Sequence, residues 1–86
     1  MSRITGVGVD MIFISGDEHD AGTRAARRAL AKALGRDPDA SDVPAISYLD
    51  SGAPVAIDLS APLCAHLTIT HEGGRALAVA IVEDLS

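Results

Sequence analysis

The sequence predicts an α+β domain in which a small antiparallel sheet is packed by one main helix. Three observations predict it. A β-branched apolar run opens the chain, an alanine-rich stretch with helical spacing follows, and several short strand-like runs separated by turn residues fill the second half. The 86 residues suffice for one domain, residues 1–86, and not for two.

The first element is residues 4–14 (ITGVGVDMIFI), which read as a strand interrupted by Gly6 and Gly8. A strand glycine marks a bulge or a close backbone approach. No helix follows directly, so the pair reads as packing rather than a dinucleotide fingerprint. Residues 15–22 (SGDEHDAG) read as a polar turn. Residues 23–34 are the helix: alanine dominates, Asp20 or Thr23 is the expected N-cap, and Gly35 stands where a C′ glycine belongs. Ala26, Leu30, Ala33 and Leu34 share one apolar stripe. Arg24, Arg28 and Lys32, four apart, form a basic stripe with Arg27 beside it. Residues 35–44 read as loop.

Three strand-like segments follow at residues 45–49, 54–59 and 65–70, the first two joined by the turn Asp50-Ser51-Gly52. In the third, Leu67 and Ile69 share one face, and His66, Thr68 and Thr70 the other. Residues 75–83 (RALAVAIVE) follow the turn Glu72-Gly73-Gly74. The glycine turn and the run Val79, Ile81, Val82 favour a strand, and so a hairpin, over an alanine helix.

Composition limits the rest. One Phe, one Tyr and no Trp sit in a chain that is 48% hydrophobic, so the core is built from Ala, Val, Ile and Leu in thin layers. A chain this short buries a limited share of its surface. One cysteine, Cys64, allows no internal disulfide and is expected as a small core residue, and no Cys/His spacing reads as a zinc site. Self-association is then the expected remedy. No apolar run reaches the roughly 20 residues that span a bilayer. Met1-Ser2-Arg3 enters the first strand without a small-residue cleavage site, so no membrane partner is expected and the cytoplasm is the expected location. A net charge of −5 argues against nucleic acid as partner. Yet five of the seven basic residues lie between Arg24 and Arg36.

Four fragments in order carry a resemblance. Gly6-Val7-Gly8-Val9-Asp10, the helix Ala25 to Gly35 ending Lys-Ala-Leu-Gly, the turn Gly52-Ala53-Pro54, and His66-Leu67-Thr68-Ile69-Thr70-His71-Glu72 with the closing strand resemble holo-acyl-carrier-protein synthases of the 4′-phosphopantetheinyl transferase superfamily. The resemblance implies that fold, a homotrimer with sites at subunit boundaries, and partners among acyl or peptidyl carrier proteins. It also implies transfer of phosphopantetheine from coenzyme A to a carrier-protein serine with Mg²⁺, which takes hard oxygen ligands.

Asp10 matches the family's strand aspartate, and Lys32 and His71 match family positions. Arg28 stands where the helix glutamate should be, Phe13 replaces a further acidic residue, and Ser15-Gly16 hold no counterpart of the family's arginine. About eight residues replace the longer helical stretch the family places before the helix. Guanidinium is a permanent cation and would repel Mg²⁺. No metal and no cofactor is therefore favoured; Asp10 with Mg²⁺ and coenzyme A apply only if the ancestral activity is retained.

Asp10 has two readings: a remnant ligand or acid/base group, or an ion pair with Arg28 that restores charge balance. His71 suits proton transfer near neutrality. His66 and His19 read as bystanders. The basic stripe Arg24, Arg27, Arg28 and Lys32 reads either as a solvated helix face or as a surface for a carrier protein or anionic ligand.

Three functions follow. In the first, the old pocket is repurposed for dehydration, isomerisation or cyclisation of a carrier-linked or free polyketide-like intermediate in secondary metabolism, with His71, Asp10, Arg28 and Glu72 as the acid/base set. The second is an active synthase with a rebuilt metal site, and the third a non-catalytic carrier-protein-binding module.

Overall fold

The computed structural model describes residues 2–86. Its elements are β1 (Arg3–Phe13), α1 (Glu18–Ala33), β2 (Ile46–Tyr48), β3 (Pro54–Ala56), β4 (Leu63–Glu72) and β5 (Arg75–Asp84). β1, β5 and β4 form an antiparallel sheet with β5 in the centre, and β2 pairs with β3 in a separate ribbon. The β strands expected in one sheet are thus divided between two. β2 and β3 pair over three residues each, and Pro54 has no N–H with which to lengthen that ladder.

β5 is a strand despite its alanines. Gly73 and Gly74 both have positive φ, 58° and 73°, as a two-residue hairpin turn requires. β4 is longer than the alternation suggests and runs on to Glu72. His71 and Glu72 are therefore strand residues that point to opposite faces, not the start of a turn.

α1 begins at Glu18, five residues before the expected start, and Asp17 rather than Asp20 or Thr23 is the N-cap, its carboxylate accepting from the His19 N–H at 2.9 Å. Gly22, which reads as a breaker, lies buried inside the helix. A Cβ there would come 2.9 Å from His71 Nε2 and 3.1 Å from Ile69 Cγ2. Packing overrides a propensity cost of about 1 kcal/mol. At the other end Leu34 is the C-cap and Gly35 follows with φ 74°, as expected.

The core is a layer of methyl groups. Ala25, Ala26, Ala29 and Leu30 of α1 pack on Ala76, Ala78, Ala80 and Val82 of β5. The strand glycines mark the closest approach: a Cβ at Gly6 would lie 1.8 Å from the Ala33 carbonyl oxygen, and one at Gly8 1.9 Å from that of Ala29. A bulge falls between Ile4 and Gly6. The helix backbone thus rests on β1 itself, which brings Arg28 and Lys32 over Asp10. Cys64, expected in the core, is half-buried on β4. On the sheet face away from α1, β1 and β5 are apolar and open, with Val7 58% exposed, Val9 49%, Phe13 70% and Leu77 44%, while β4 presents His66, Thr68, Thr70 and Glu72. No helix among the described residues is long and apolar enough to cross a membrane.

Candidate functional site

Asp10 lies on the helix side of β1, opposite Ala78. Its side chain is 12% exposed, and both carboxylate oxygens are engaged. The Arg28 Nε–H donates to Oδ2, and Lys32 Nζ lies 3.3 Å from Oδ1 while also donating to the Val9 carbonyl at 3.0 Å. Burial pushes the Asp10 carboxyl up, but the Arg28 guanidinium, the Met11 backbone N–H and the Lys32 ammonium outweigh it and hold the group below its usual value. The hydrogen bond it donates to Asp10 raises Arg28 in turn, and Arg28 also donates to Asp39 in the loop after α1. The ion pair with Arg28 that the sequence offers Asp10 is formed.

The basic stripe is largely compensated within the chain. Arg24 lies 3.6 Å from Asp20, Arg36 lies 3.2 Å from Asp42, Arg28 and Lys32 share Asp10, and Arg28 also pairs with Asp39. Arg27 donates to the Ala40 carbonyl instead. Arg24, Arg27 and Arg28 border a cavity of about 480 Å³ with Met11, Ile12 and Asp39.

His71 lies elsewhere. It sits on β4, opposite Ala76, two strands from β1 with β5 between them, a lateral separation of about 10 Å at ordinary strand spacing. Its Nε2 lies 2.9 Å from the Glu18 carbonyl oxygen at the start of α1. A carbonyl only accepts, so in the neutral ring Nε2 carries the proton and Nδ1 the lone pair. His71 borders a second cavity, of about 360 Å³, with His19, Tyr48, Gly52, Pro54 and Ile69. Glu72 faces the opposite side of the sheet, beside Met11, Thr70, Arg75 and Leu77. Within one protomer, then, Asp10 and Arg28 meet, whereas His71 and Glu72 join neither them nor each other. His66 pairs with Glu83 at 2.9 Å. His19, expected as a bystander, and Tyr48, which no motif marks, both border the second cavity. Tyr48 is brought there by the β2–β3 ribbon, 25 residues from its hydrogen-bond partner Thr23, so no local pattern announces it.

No protein-family model matches the sequence, and no curated protein matches it. Solved structures do. The holo-(acyl-carrier-protein) synthase of Bacillus anthracis str. Ames, solved in complex with CoA (3′,5′-ADP), aligns with a TM-score of 0.77 at 25% identity, over 94% of this chain and 97% of that one. This is the holo-acyl-carrier-protein synthase fold. The acyl carrier protein synthase of Mycobacterium tuberculosis aligns with a TM-score of 0.58 at 24% identity, over 95% of this chain and 99% of that one.

The Mg²⁺ that this synthase fold implies does not fit the residues present. Among the described residues no cluster of three or more His, Cys, Asp or Glu could hold a metal. Asp10, the carboxylate expected to hold a metal if one is retained, has a guanidinium and an ammonium on its two oxygens. A divalent ion there would have to displace one cation and stand beside the other.

Proposed function

We propose that this protein keeps the phosphopantetheinyl transferase fold, has lost Mg²⁺-dependent phosphopantetheine transfer, and performs acid/base chemistry on a carrier-protein-linked or free polyketide-like intermediate in the cytoplasm. The observation that carries the loss is the double occupation of Asp10 by Arg28 and Lys32. His71 supports the gain: a carbonyl fixes its proton on Nε2 and leaves Nδ1 to accept one at a cavity. Dehydration, isomerisation and cyclisation all need such a proton acceptor. Three copies would associate through the open apolar face of β1 and β5, where Val7, Val9, Phe13 and Leu77 are exposed. Glu72 lies on that side, so in such a trimer it would stand near a subunit boundary.

A second reading has one observation in its favour. The cavity beside Arg24, Arg27 and Arg28 suits an anionic ligand, and coenzyme A or an acidic carrier protein could use those donors without any metal.

The test is mass spectrometry of an apo carrier protein incubated with coenzyme A, Mg²⁺ and this protein. No gain of the prosthetic arm is expected, and calorimetry should show no Mg²⁺ binding. Arg28→Glu restores a carboxylate and should create measurable Mg²⁺ affinity. Transfer of the arm by the unaltered protein would overturn the proposal. His71→Ala should abolish turnover in the pathway, and wild-type product levels would remove His71 from the chemistry.

A further inference from the structure

We propose that the cavity bordered by the first turns of α1, the β2–β3 ribbon and the end of β4 binds a small, uncharged, largely apolar molecule through a hydroxyl group, which donates its one proton to the Tyr48 oxygen and leaves His71 Nδ1 free for chemistry. The inference rests on the acid/base role given to His71 above and adds Tyr48 as a binding residue.

The direction of each hydrogen bond decides what the cavity can recognise. Thr23 Oγ1 donates to the His19 carbonyl at 3.0 Å. A threonine hydroxyl has one proton, and this bond uses it. The 2.7 Å contact between Thr23 Oγ1 and the Tyr48 hydroxyl must then run from tyrosine to threonine. Tyr48 has given away its only proton and keeps its oxygen lone pairs. The Glu18 carbonyl likewise takes the proton on His71 Nε2 and leaves Nδ1 as an acceptor. Both groups border the cavity, and in these states both can only accept. A ligand group that meets either of them must donate, and a hydroxyl has one proton to give.

Charge narrows the class. Neither Lys nor Arg is among the residues that border this cavity, whereas three arginines border the other. A carboxylate or phosphate would meet these two acceptors and neither a lysine nor an arginine, with the His19 ring as the one further polar side chain on the wall, which is costly. Ile69 and Pro54 supply apolar wall, and the His19 ring lies on Tyr48 with centroids 4.7 Å apart. At about 360 Å³ the space lies at the lower end of the range for small-molecule pockets.

The helix is also shaped for this arrangement. Gly22 is buried in α1 where alanine would favour the helix, and a Cβ there would strike the edge of the His71 ring that meets Glu18. Gly22 is thus a positioning residue: it lets the imidazole reach the carbonyl that sets its tautomer.

The experiment uses the full chain with labelled histidine and tyrosine rings, titrated by NMR with three probes. These are the 3-hydroxyoctanoyl thioester of N-acetylcysteamine, the octanoyl thioester, and free 3-hydroxyoctanoate. The free protein should show the Nε2–H tautomer at His71. The hydroxy thioester should move the His71 and Tyr48 ring signals and bind at least tenfold more tightly than the deoxy thioester and than the free acid. Tyr48→Phe keeps the ring and should erase most of that tenfold preference. Gly22→Ala should weaken binding and mix the His71 tautomers while every polar group remains. Equal binding of the two thioesters, still rings on titration, or preferential binding of the acid would each overturn the inference. Its failure is separable from that of the functional reading: arm transfer or Mg²⁺ binding at Asp10 defeats the latter and leaves these ring signals as they are.

Discussion

Replacing Gly8 by alanine should remove a large part of this protein's stability. The added Cβ would sit 1.9 Å from the Ala29 carbonyl oxygen and 2.7 Å from the Ala33 backbone nitrogen. Ordinary contact begins at 3.4 Å, so the helix must retreat by about 1.5 Å at this point. No flexible side chain can move aside, because both obstacles are backbone and the flanking layer is alanine. A gap of even 0.5–1 Å forfeits about a quarter to a half of a dispersion contact, and here it would open along the α1–β1 seam. Overpacking typically costs about 1–3 kcal/mol, and a backbone clash belongs at or above the top of that range. Roughly 4–13 kcal/mol is the whole stability expected for a chain of this length. Urea unfolding followed by circular dichroism measures the loss, with Gly16→Ala as comparison, since nothing lies within 4 Å of a Cβ at Gly16 and only its φ of 109° opposes the change. A Gly8→Ala protein within about 1 kcal/mol of wild type would refute the claim that helix backbone rests on strand backbone.

Arg28→Ala should cost about 1–2 kcal/mol, less than the 3–5 typical of a fully buried pair, because Arg28 is partly exposed and Lys32 remains on Asp10; a double-mutant cycle with Asp10→Asn should return a coupling of similar size, and strict additivity would deny the pair. The lowered Asp10 carboxyl adds stability that is complete above its ordinary value of 3.8 and is lost as pH falls below that through the folded value; acid titration of Asp10→Asn should lack this component, and an unchanged acid limb would count against it. Val9→Lys places a charge in the open apolar face and should convert a trimer into monomers in sedimentation equilibrium, whereas a wild-type monomer at roughly 50 μM would refute the proposed assembly.

Periodicity and turn chemistry made much of the fold legible. Gly73-Gly74 identified the β4–β5 hairpin, and Gly35 marked the helix end. Gly6 and Gly8 announced a close approach before its partner was known. The helix start was hidden because Gly22 looks like punctuation, and only the imidazole packed against it explains its place in a helix. The Asp10–Arg28 pair could be read through the resemblance, which sets Arg28 where the family carries a carboxylate and so offers Asp10 a cation. The separation of His71 from Asp10 could not, since it depends on β5 entering between β1 and β4, an order set by long-range pairing. Tyr48 and His19 gave no signal for the same reason: their neighbourhood exists only once the ribbon lies against α1.

The internal pairing of the basic helix face also bears on how fast partners arrive. Four carboxylates, at Asp10, Asp20, Asp39 and Asp42, stand beside the four cations Arg24, Arg28, Lys32 and Arg36, and the chain as a whole carries −5. An acidic visitor approaching from beyond a Debye length of about 8 Å meets no attractive field. Its capture would proceed at the unsteered rate, on the order of 10⁵–10⁶ M⁻¹s⁻¹, and would vary little with ionic strength.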